Sequence, residues 1–226
     1  MVERGDMTVL HEPFCKLRDF GETDAGARTF DSPQTLLNWL LDETHDMRVF
    51  LKDHPPTYYL QDVLADRRFL AEIRHAFLIR RPEEIAASSY ALDHRMNINS
   101  LGLERLCEVQ TAVREAGADA SLVIDSDDLV TRPAATMAAY CAAVGLPFIS
   151  RALTWEPGVR PEWRQYARWH VDASASSGFQ RHDHVYQHTV ENSPDLARIA
   201  AHHRPFYERL YAQRLDVTPW EQAASS

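Results

Sequence analysis

Short apolar runs alternate along the chain with segments of helical periodicity. The apolar runs that predict strands are residues 7–10, 48–52, 76–79 and 122–125. Apolar residues at three-to-four-residue spacing predict helices over residues 33–46, 66–73, 82–92, 101–116 and 134–144. Because strands and helices alternate with short connections, the pattern predicts an α/β fold: a doubly wound, mainly parallel sheet of about four strands flanked by helices.

Two parts of the chain lack this alternation. Residues 15–32 are polar and contain glycine, which predicts a loop. Beyond residue 150, the segments 160–172 and 193–215 have helical patterns and are separated by a loop rich in serine and histidine. We therefore expect an α/β core over residues 1–150 and a helical C-terminal part over residues 151–226 packed on that core. The tail, residues 218–226, is expected to be disordered.

Composition limits the class of partner. The 226 residues are 45% hydrophobic, which is enough for a substantial core. A net charge of −9 argues against a nucleic-acid partner, because phosphate backbones require a basic face. Cys15, Cys107 and Cys141 show neither disulfide nor metal spacing, and no apolar run approaches membrane length. We expect a cytoplasmic protein without a nucleic-acid or membrane partner, and a homo-oligomer is compatible with the sequence.

The arginine–proline junction after the third predicted strand is the expected anion site. Arg80 ends the strand and Pro82 opens the following helix, and anionic ligands bind at such junctions in open α/β sheets. Ser88 shares a helix face with Ile85, so its hydroxyl is directed towards the region that Arg80 can reach. A guanidinium and a hydroxyl would together hold a monophosphate. The alternative is that Arg80 pairs with Glu84 and Ser88 is a small packing residue.

Arg80, Pro82 and Ser88 form an Arg-x-Pro pattern, with serine eight positions after the arginine, that resembles the 3′-phosphate-binding motif of sulfotransferases. Three further stretches resemble that family in the same order. They are His11-Glu12-Pro13-Phe14, Lys52-Asp53-His54-Pro55-Pro56, and Asp127-Asp128-Leu129 with the later Gly145-Leu146-Pro147. The resemblance covers roughly residues 7–148 and implies the P-loop, sulfotransferase-like fold.

The resemblance implies transfer of a sulfuryl group from 3′-phosphoadenosine 5′-phosphosulfate (PAPS) to a hydroxyl of a small metabolite. Arg80 and Ser88 would hold the 3′-phosphate. His54 would be the general base, a role that suits a side chain titrating near neutral pH, and Lys52 would stabilise developing negative charge. Glu12 is the rival base, since other branches of the family use a glutamate. Without the resemblance, His54 is an exposed loop residue, Lys52 a strand-end cation and Glu12 a turn residue.

Two parts of the family pattern are not found in the sequence. The Pro-Lys-Ser-Gly-Thr-like loop that binds the 5′-phosphosulfate would precede residue 7, and residues 1–6 have no room for it. A start placed too far downstream, a truncated chain and a natural loss all remain open. A loss would favour a repurposed enzyme acting without PAPS, such as a hydrolase, cyclase or lyase, or a non-catalytic binding protein. Residues 176–179 with Arg181 are the nearest counterpart of the family's C-terminal basic loop and depart from its Arg-Lys-Gly pattern.

The loop before the last helix contains several histidines. The spacing of His182, His184 and His188 is compatible with metal ligands, but no carboxylate or cysteine pattern accompanies them. We therefore expect PAPS as the cofactor and no metal.

Overall fold

The computed structural model of the protein describes residues 1–44, 46–54, 60–118 and 122–221. The strands are β1 (Thr8–His11), β2 (Thr23–Ala25), β3 (Arg28–Phe30), β4 (Val49–Lys52), β5 (Ala76–Ile79) and β6 (Leu122–Asp125). The α-helices are α1 (Pro13–Phe20), α2 (Pro33–Asp42), α3 (Leu60–Ala65), α4 (Arg67–Glu72), α5 (Pro82–Leu92), α6 (Leu103–Glu115), α7 (Ser126–Thr131), α8 (Pro133–Ala143), α9 (Val171–Ala175) and α10 (Pro194–Tyr211). Short 3-10 helices cover Val2–Arg4, Ser150–Leu153, Pro161–Trp169 and Thr218–Trp220.

The predicted α/β class with parallel strands is confirmed. β1 pairs with β4 in parallel, and β5 pairs with β6 in parallel. The four predicted strands are therefore hydrogen-bonded as two parallel pairs. A parallel pair requires a crossover connection of a dozen or more residues. Helices α1 and α2 lie between β1 and β4, and helices α5 and α6 lie between β5 and β6.

The predicted loop over residues 15–32 is wrong. Helix α1 occupies its first part, and β2 and β3 form an antiparallel hairpin in the second. Phe14 and Leu17 on α1 are buried, as is Phe30 on β3. The strands have three residues each, which is too short for an alternating pattern to be visible in the sequence. The polar residues on the exposed face of α1 likewise conceal its buried side.

Contacts divide the chain into two compact units, of which the first comprises Met1–His75 and Glu108–Ser121. Its hydrophobic core is formed by α1, α2, α4, β1 and the hairpin, and includes Leu10, Phe14, Leu17, Ala25, Phe30, Leu36, Leu37, Trp39, Leu40, Leu41 and Phe69. Helix α2 begins where the sequence predicts. The Ser32 hydroxyl accepts a hydrogen bond from the Thr35 amide, and Pro33 occupies the first helical position.

The second unit comprises Ala76–Cys107 and Leu122–Ser226. Helix α10 packs against α5, with Ala86, Leu196 and Ile199 buried in their shared core. None of the helices in the described ranges combines the length and the apolar character that a membrane span requires. The predicted domain boundary at residue 150 stays a prediction. Part of the predicted tail forms the 3-10 helix Thr218–Trp220, and residues 222–226 lie outside the described part.

Candidate functional site

The ends of β1 and β4 lie side by side in the first unit and are followed by polar residues. The register places His11 opposite Lys52. One residue later, the Glu12 amide donates a hydrogen bond of 2.6 Å to the Lys52 carbonyl. Because the two strands are parallel, the residues that follow them emerge at the same edge. Glu12 and His54 are therefore brought to the same place by strand pairing.

The backbone of Glu12 is left-handed, with φ 51° and ψ 48°. Within the described ranges, it is the one non-glycine residue with a positive φ. This conformation costs about 1 kcal/mol for an L-residue, and the following Pro13 adds a steric restriction of its own. Strain of this kind is often found at functional sites. Here it turns the chain from β1 into α1 and leaves the Glu12 side chain buried, with 4% of the residue exposed.

Three side chains meet at the Glu12 carboxylate. Oε1 of Glu12 lies 2.8 Å from Nε2 of His54 and forms an ion pair with Nζ of Lys52. The Lys52 ammonium is also 3.2 Å from His54 Nε2. Nε2 of His11 lies 3.7 Å from the same carboxylate oxygen. The predicted trio of Lys52, His54 and Glu12 thus forms one cluster with Glu12 at its centre.

Charge determines what each member of the cluster can do. Burial alone would raise the pKa of Glu12, but the hydrogen bond from His54 and the positive charge of Lys52 outweigh it and lower that pKa well below its usual range. Glu12 is therefore ionised at neutral pH and can only accept hydrogen bonds. His54 Nε2 accordingly carries the hydrogen that it donates to Glu12, and Nδ1 is the basic nitrogen. The His54 side chain is 56% exposed.

Asp53 connects the end of β4 to the start of α1. Its Oδ2 accepts a 2.7 Å hydrogen bond from the Phe14 amide, and its Oδ1 accepts from the His54 amide at 2.7 Å and from the Cys15 thiol at 3.0 Å. Glu12 makes no side-chain capping bond, so Asp53 caps α1 from another part of the chain. Burial raises the pKa of Asp53, and burial together with the nearby Asp53 charge raises the pKa of the Cys15 thiol. The thiol therefore stays protonated and donates.

Arg80 and Ser88, the two residues predicted to hold a phosphate and called the anion clamp below, lie in the second unit. Nε of Arg80 donates to Oε2 of Glu84 at 2.9 Å, and the Ser88 hydroxyl donates to the Ile85 carbonyl at 3.3 Å. The Arg80–Glu84 ion pair is the one foreseen in the alternative interpretation of this junction. Even so, the Arg80 side chain is 42% exposed. A guanidinium has five N–H donors, and the described ion pair engages only Nε.

Further charged residues join Arg80 and Glu84. Nη2 of Arg81 lies 2.6 Å from Oδ2 of Asp127, which follows β6. Arg181 contacts both carboxylates, at 3.5 Å from Glu84 and 3.4 Å from Asp127. The sequence indicated Arg181 only as part of a divergent loop. Its contact with Glu84 joins residues about a hundred positions apart and has no local sequence signal.

The structure thus brings Lys52, His54 and Glu12 together in the first unit. In the second unit it places Arg80 on the β5–α5 connection and Ser88 within α5. Their roles in catalysis and binding stay predictions. Pro55 and Pro56, which complete the segment that resembles the family, lie outside the described residues. Sequence reasoning missed the structural role of Asp53, although Asp53 lies between two residues of the predicted site.

Comparison with known proteins gives three findings. A family model described as a sulfotransferase domain matches residues 53–214, which is more than half of the chain. The branched-chain-amino-acid aminotransferase-like protein 2 of Arabidopsis thaliana is 32% identical over 111 residues; the alignment covers 49% of this chain and 20% of that protein. The aligned segment therefore spans about a fifth of that relative's length. The solved sulfotransferase domain from the curacin biosynthetic pathway is 12% identical, with 85% of this chain and 66% of that chain covered. Its TM-score of 0.36 is too low to support a conclusion.

Replacing Asp53 by alanine should destabilise the fold. The Phe14 amide and the Cys15 thiol would lose their acceptor, so we expect the free energy of unfolding to fall by about 1–3 kcal/mol in urea denaturation. Asp53→Asn keeps one carbonyl acceptor and should lose less. The exposed Asp31→Ala should stay within about 0.5 kcal/mol of the wild type. Equal stability of Asp53→Ala and Asp31→Ala would contradict the capping role.

Acid should weaken the fold through Glu12. Because the folded-state pKa of Glu12 is depressed, its ionised carboxylate stabilises the fold fully above the unfolded pKa, near 4.5. That contribution is lost as the pH falls from there towards the folded pKa. Glu12→Gln should therefore flatten the dependence of the unfolding free energy on pH below about 4.5. The exposed Glu22→Gln is the control, and an unchanged slope in Glu12→Gln would refute the depressed pKa.

Proposed function

This chain belongs to the sulfotransferase domain family, and on that premise we propose that it transfers a sulfuryl group from PAPS to a hydroxyl of a small metabolite. The observation that carries the proposal is the cluster at the ends of β1 and β4. There, an exposed histidine, His54, lies 2.8 Å from the buried carboxylate of Glu12 and 3.2 Å from the ammonium of Lys52. PAPS, when bound, supplies the sulfuryl group.

We assign the role of general base to His54. Its Nδ1 takes the proton of the acceptor hydroxyl while Nε2–H stays bonded to Glu12. The carboxylate thereby holds the tautomer and stabilises the imidazolium that forms, which is the part the aspartate plays in a Ser-His-Asp triad. Glu12 is the weaker candidate for the base, because its low pKa makes it a poor proton acceptor and Lys52 and His54 already occupy Oε1.

Lys52 is assigned to the negative charge that develops during transfer. Sulfuryl transfer resembles phosphoryl transfer in needing aligned oxygens and nearby cations rather than covalent chemistry from the protein. The Lys52 side chain is 41% exposed, so its ammonium can be shared between Glu12 and a substrate oxygen. The ion pair with Glu12 holds it in position before substrate binds.

The second unit supplies the residues proposed for the 3′-phosphate. Arg80 offers its terminal NH₂ groups and Ser88 its hydroxyl, and Arg181 adds a guanidinium through its contact with Glu84. Bidentate guanidinium–phosphate contacts are strong and geometrically specific. Guanidinium groups and a hydroxyl are hydrogen-bond donors, so these residues fit a phosphate chemically. To bind, a phosphate dianion would compete with Glu84 for Arg80.

A second candidate is an enzyme of the same family that acts without PAPS. The observation in its favour is that Arg80 and Ser88 already have partners within the second unit. In that case, His54 and Glu12 would move a proton in a hydrolase, cyclase or lyase reaction. A binding protein without catalysis is the third possibility, in which neither residue affects a rate.

Calorimetric titration with adenosine 3′,5′-bisphosphate tests the assignment of the 3′-phosphate. We expect saturable binding below about 1 mM. Arg80→Ala should weaken it by about tenfold to a hundredfold, because a hydrogen bond between charged groups is lost. Ser88→Ala should have a smaller effect in the same direction.

The matched control is Arg151→Ala, an exposed arginine of the same unit on the 3-10 helix Ser150–Leu153, and it should bind as the wild type does. Absence of binding at about 10 mM ligand would reject the use of PAPS and leave the second candidate. Equal losses in Arg80→Ala and Arg151→Ala would show a general effect of charge and would reject the clamp.

A PAPS-dependent assay over a panel of hydroxylated acceptors tests the choice of base. His54→Ala should lower kcat/KM by about a hundredfold or more. Glu12→Gln should cost less and alter the pH profile, because the imidazolium loses its counter-ion. A larger loss in Glu12→Gln, with His54→Ala nearly unaffected, would make Glu12 the base. Unchanged rates in both variants would exclude this cluster from catalysis.

A further inference from the structure

Helix α9 and the loop that follows it bring two imidazoles and a carboxylate together in the second unit. Asp172 lies on α9, and Nε2 of His184 is 2.8 Å from its Oδ2. The rings of His182 and His184 are stacked, with centroids 5.5 Å apart and planes 12° apart. One ligand atom from each of the three residues lies within 4.8 Å of the other two.

This arrangement removes the argument against a metal. In the sequence, the histidines had no accompanying carboxylate pattern. The fold supplies that carboxylate from Asp172, ten residues before His182. His182 and His184 are separated by one residue in a non-helical segment, and residues two apart in extended backbone direct their side chains to the same side.

We propose that Asp172, His182 and His184 form a binding site for a divalent first-row transition metal, with Zn²⁺ as the representative ion. Imidazole is a preferred ligand of zinc, whereas calcium and magnesium take oxygen ligands. Zinc bonds of about 2.0–2.2 Å place tetrahedral ligand atoms roughly 3.3–3.6 Å apart. In the structure these atoms lie within 4.8 Å of one another, and small rotations of the exposed side chains would bring them to the shorter distance.

The site is exposed to solvent, so the protein would supply only some of the metal ligands. The side chains of Asp172 and His184 are 51% and 45% exposed. Water would therefore complete the coordination. The metal would tie residues 182–184 to α9 and so restrain the neighbouring Arg181, which contacts Glu84 and Asp127. The bound metal would thus hold the loop that carries Arg181 in place. This proposal does not depend on the proposed sulfuryl transfer.

The test is a calorimetric titration of the untagged, chelator-treated 226-residue chain with zinc chloride. We expect one equivalent of zinc bound at this site. Asp172→Asn, His182→Ala and His184→Ala should each weaken the affinity by at least about tenfold, since loss of an outer-shell partner alone has effects of that size. His188→Ala is the matched control in the same loop and should retain wild-type affinity. Circular dichroism checks that each variant is folded.

Absence of saturable zinc binding in the wild type would overturn the proposal. So would unchanged affinity in Asp172→Asn and His184→Ala, which would leave only the hydrogen bond between these two side chains. Cobalt substitution distinguishes the ligand type. Weak visible bands indicate nitrogen and oxygen ligands and support the site, whereas an intense near-ultraviolet thiolate band would assign the metal to the cysteines and overturn it.

Discussion

The carboxylate of Asp53 holds the end of β4 to the beginning of α1, and the candidate site in the first unit depends on that connection. It accepts hydrogen bonds from the Phe14 amide, 39 residues earlier in the chain, and from the adjacent His54 amide. The left-handed turn at Glu12 lies between β1 and the helix that Asp53 caps. The positions of Glu12 and His54 are therefore fixed by the same residue. A partly buried carboxylate is tolerated there because three donors satisfy it.

The pKa values of two neighbouring carboxyl groups in this unit, Glu12 and Asp53, are shifted in opposite directions. Glu12 is surrounded by Lys52, His54 and, at a greater distance, His11, and its pKa is lowered. Asp53 is surrounded by amides and a thiol, and burial raises its pKa. Environments that separate the pKa values of adjacent groups commonly separate their functions as well. Here Glu12 is ionised at neutral pH and contacts both Lys52 and His54, which is the arrangement on which the proposal of His54 as the base rests.

In the second unit, arginines and carboxylates neutralise each other before any ligand binds. Arg80 and Arg181 share Glu84, and Arg81 pairs with Asp127. An anionic ligand that binds these arginines must replace a carboxylate. Its affinity therefore depends on how much more strongly the arginine binds the ligand than it binds that carboxylate. Holding the loop that contains Arg181 reduces the conformational entropy lost on binding. A metal bound to α9 and that loop would therefore strengthen anion binding by lowering this loss of conformational entropy.

The sequence by itself determined the elements and contacts whose causes are local. Helix α2 was predictable because Ser32 and the following proline form a cap within a few residues. The loop prediction over residues 15–32 failed because the acceptor that caps α1 is Asp53, far along the chain. The contact between Glu12 and His54 likewise exists only because β1 and β4 pair in register. Tertiary structure alone decided these contacts, since hydrogen bonds between distant residues leave no periodic signal in the sequence.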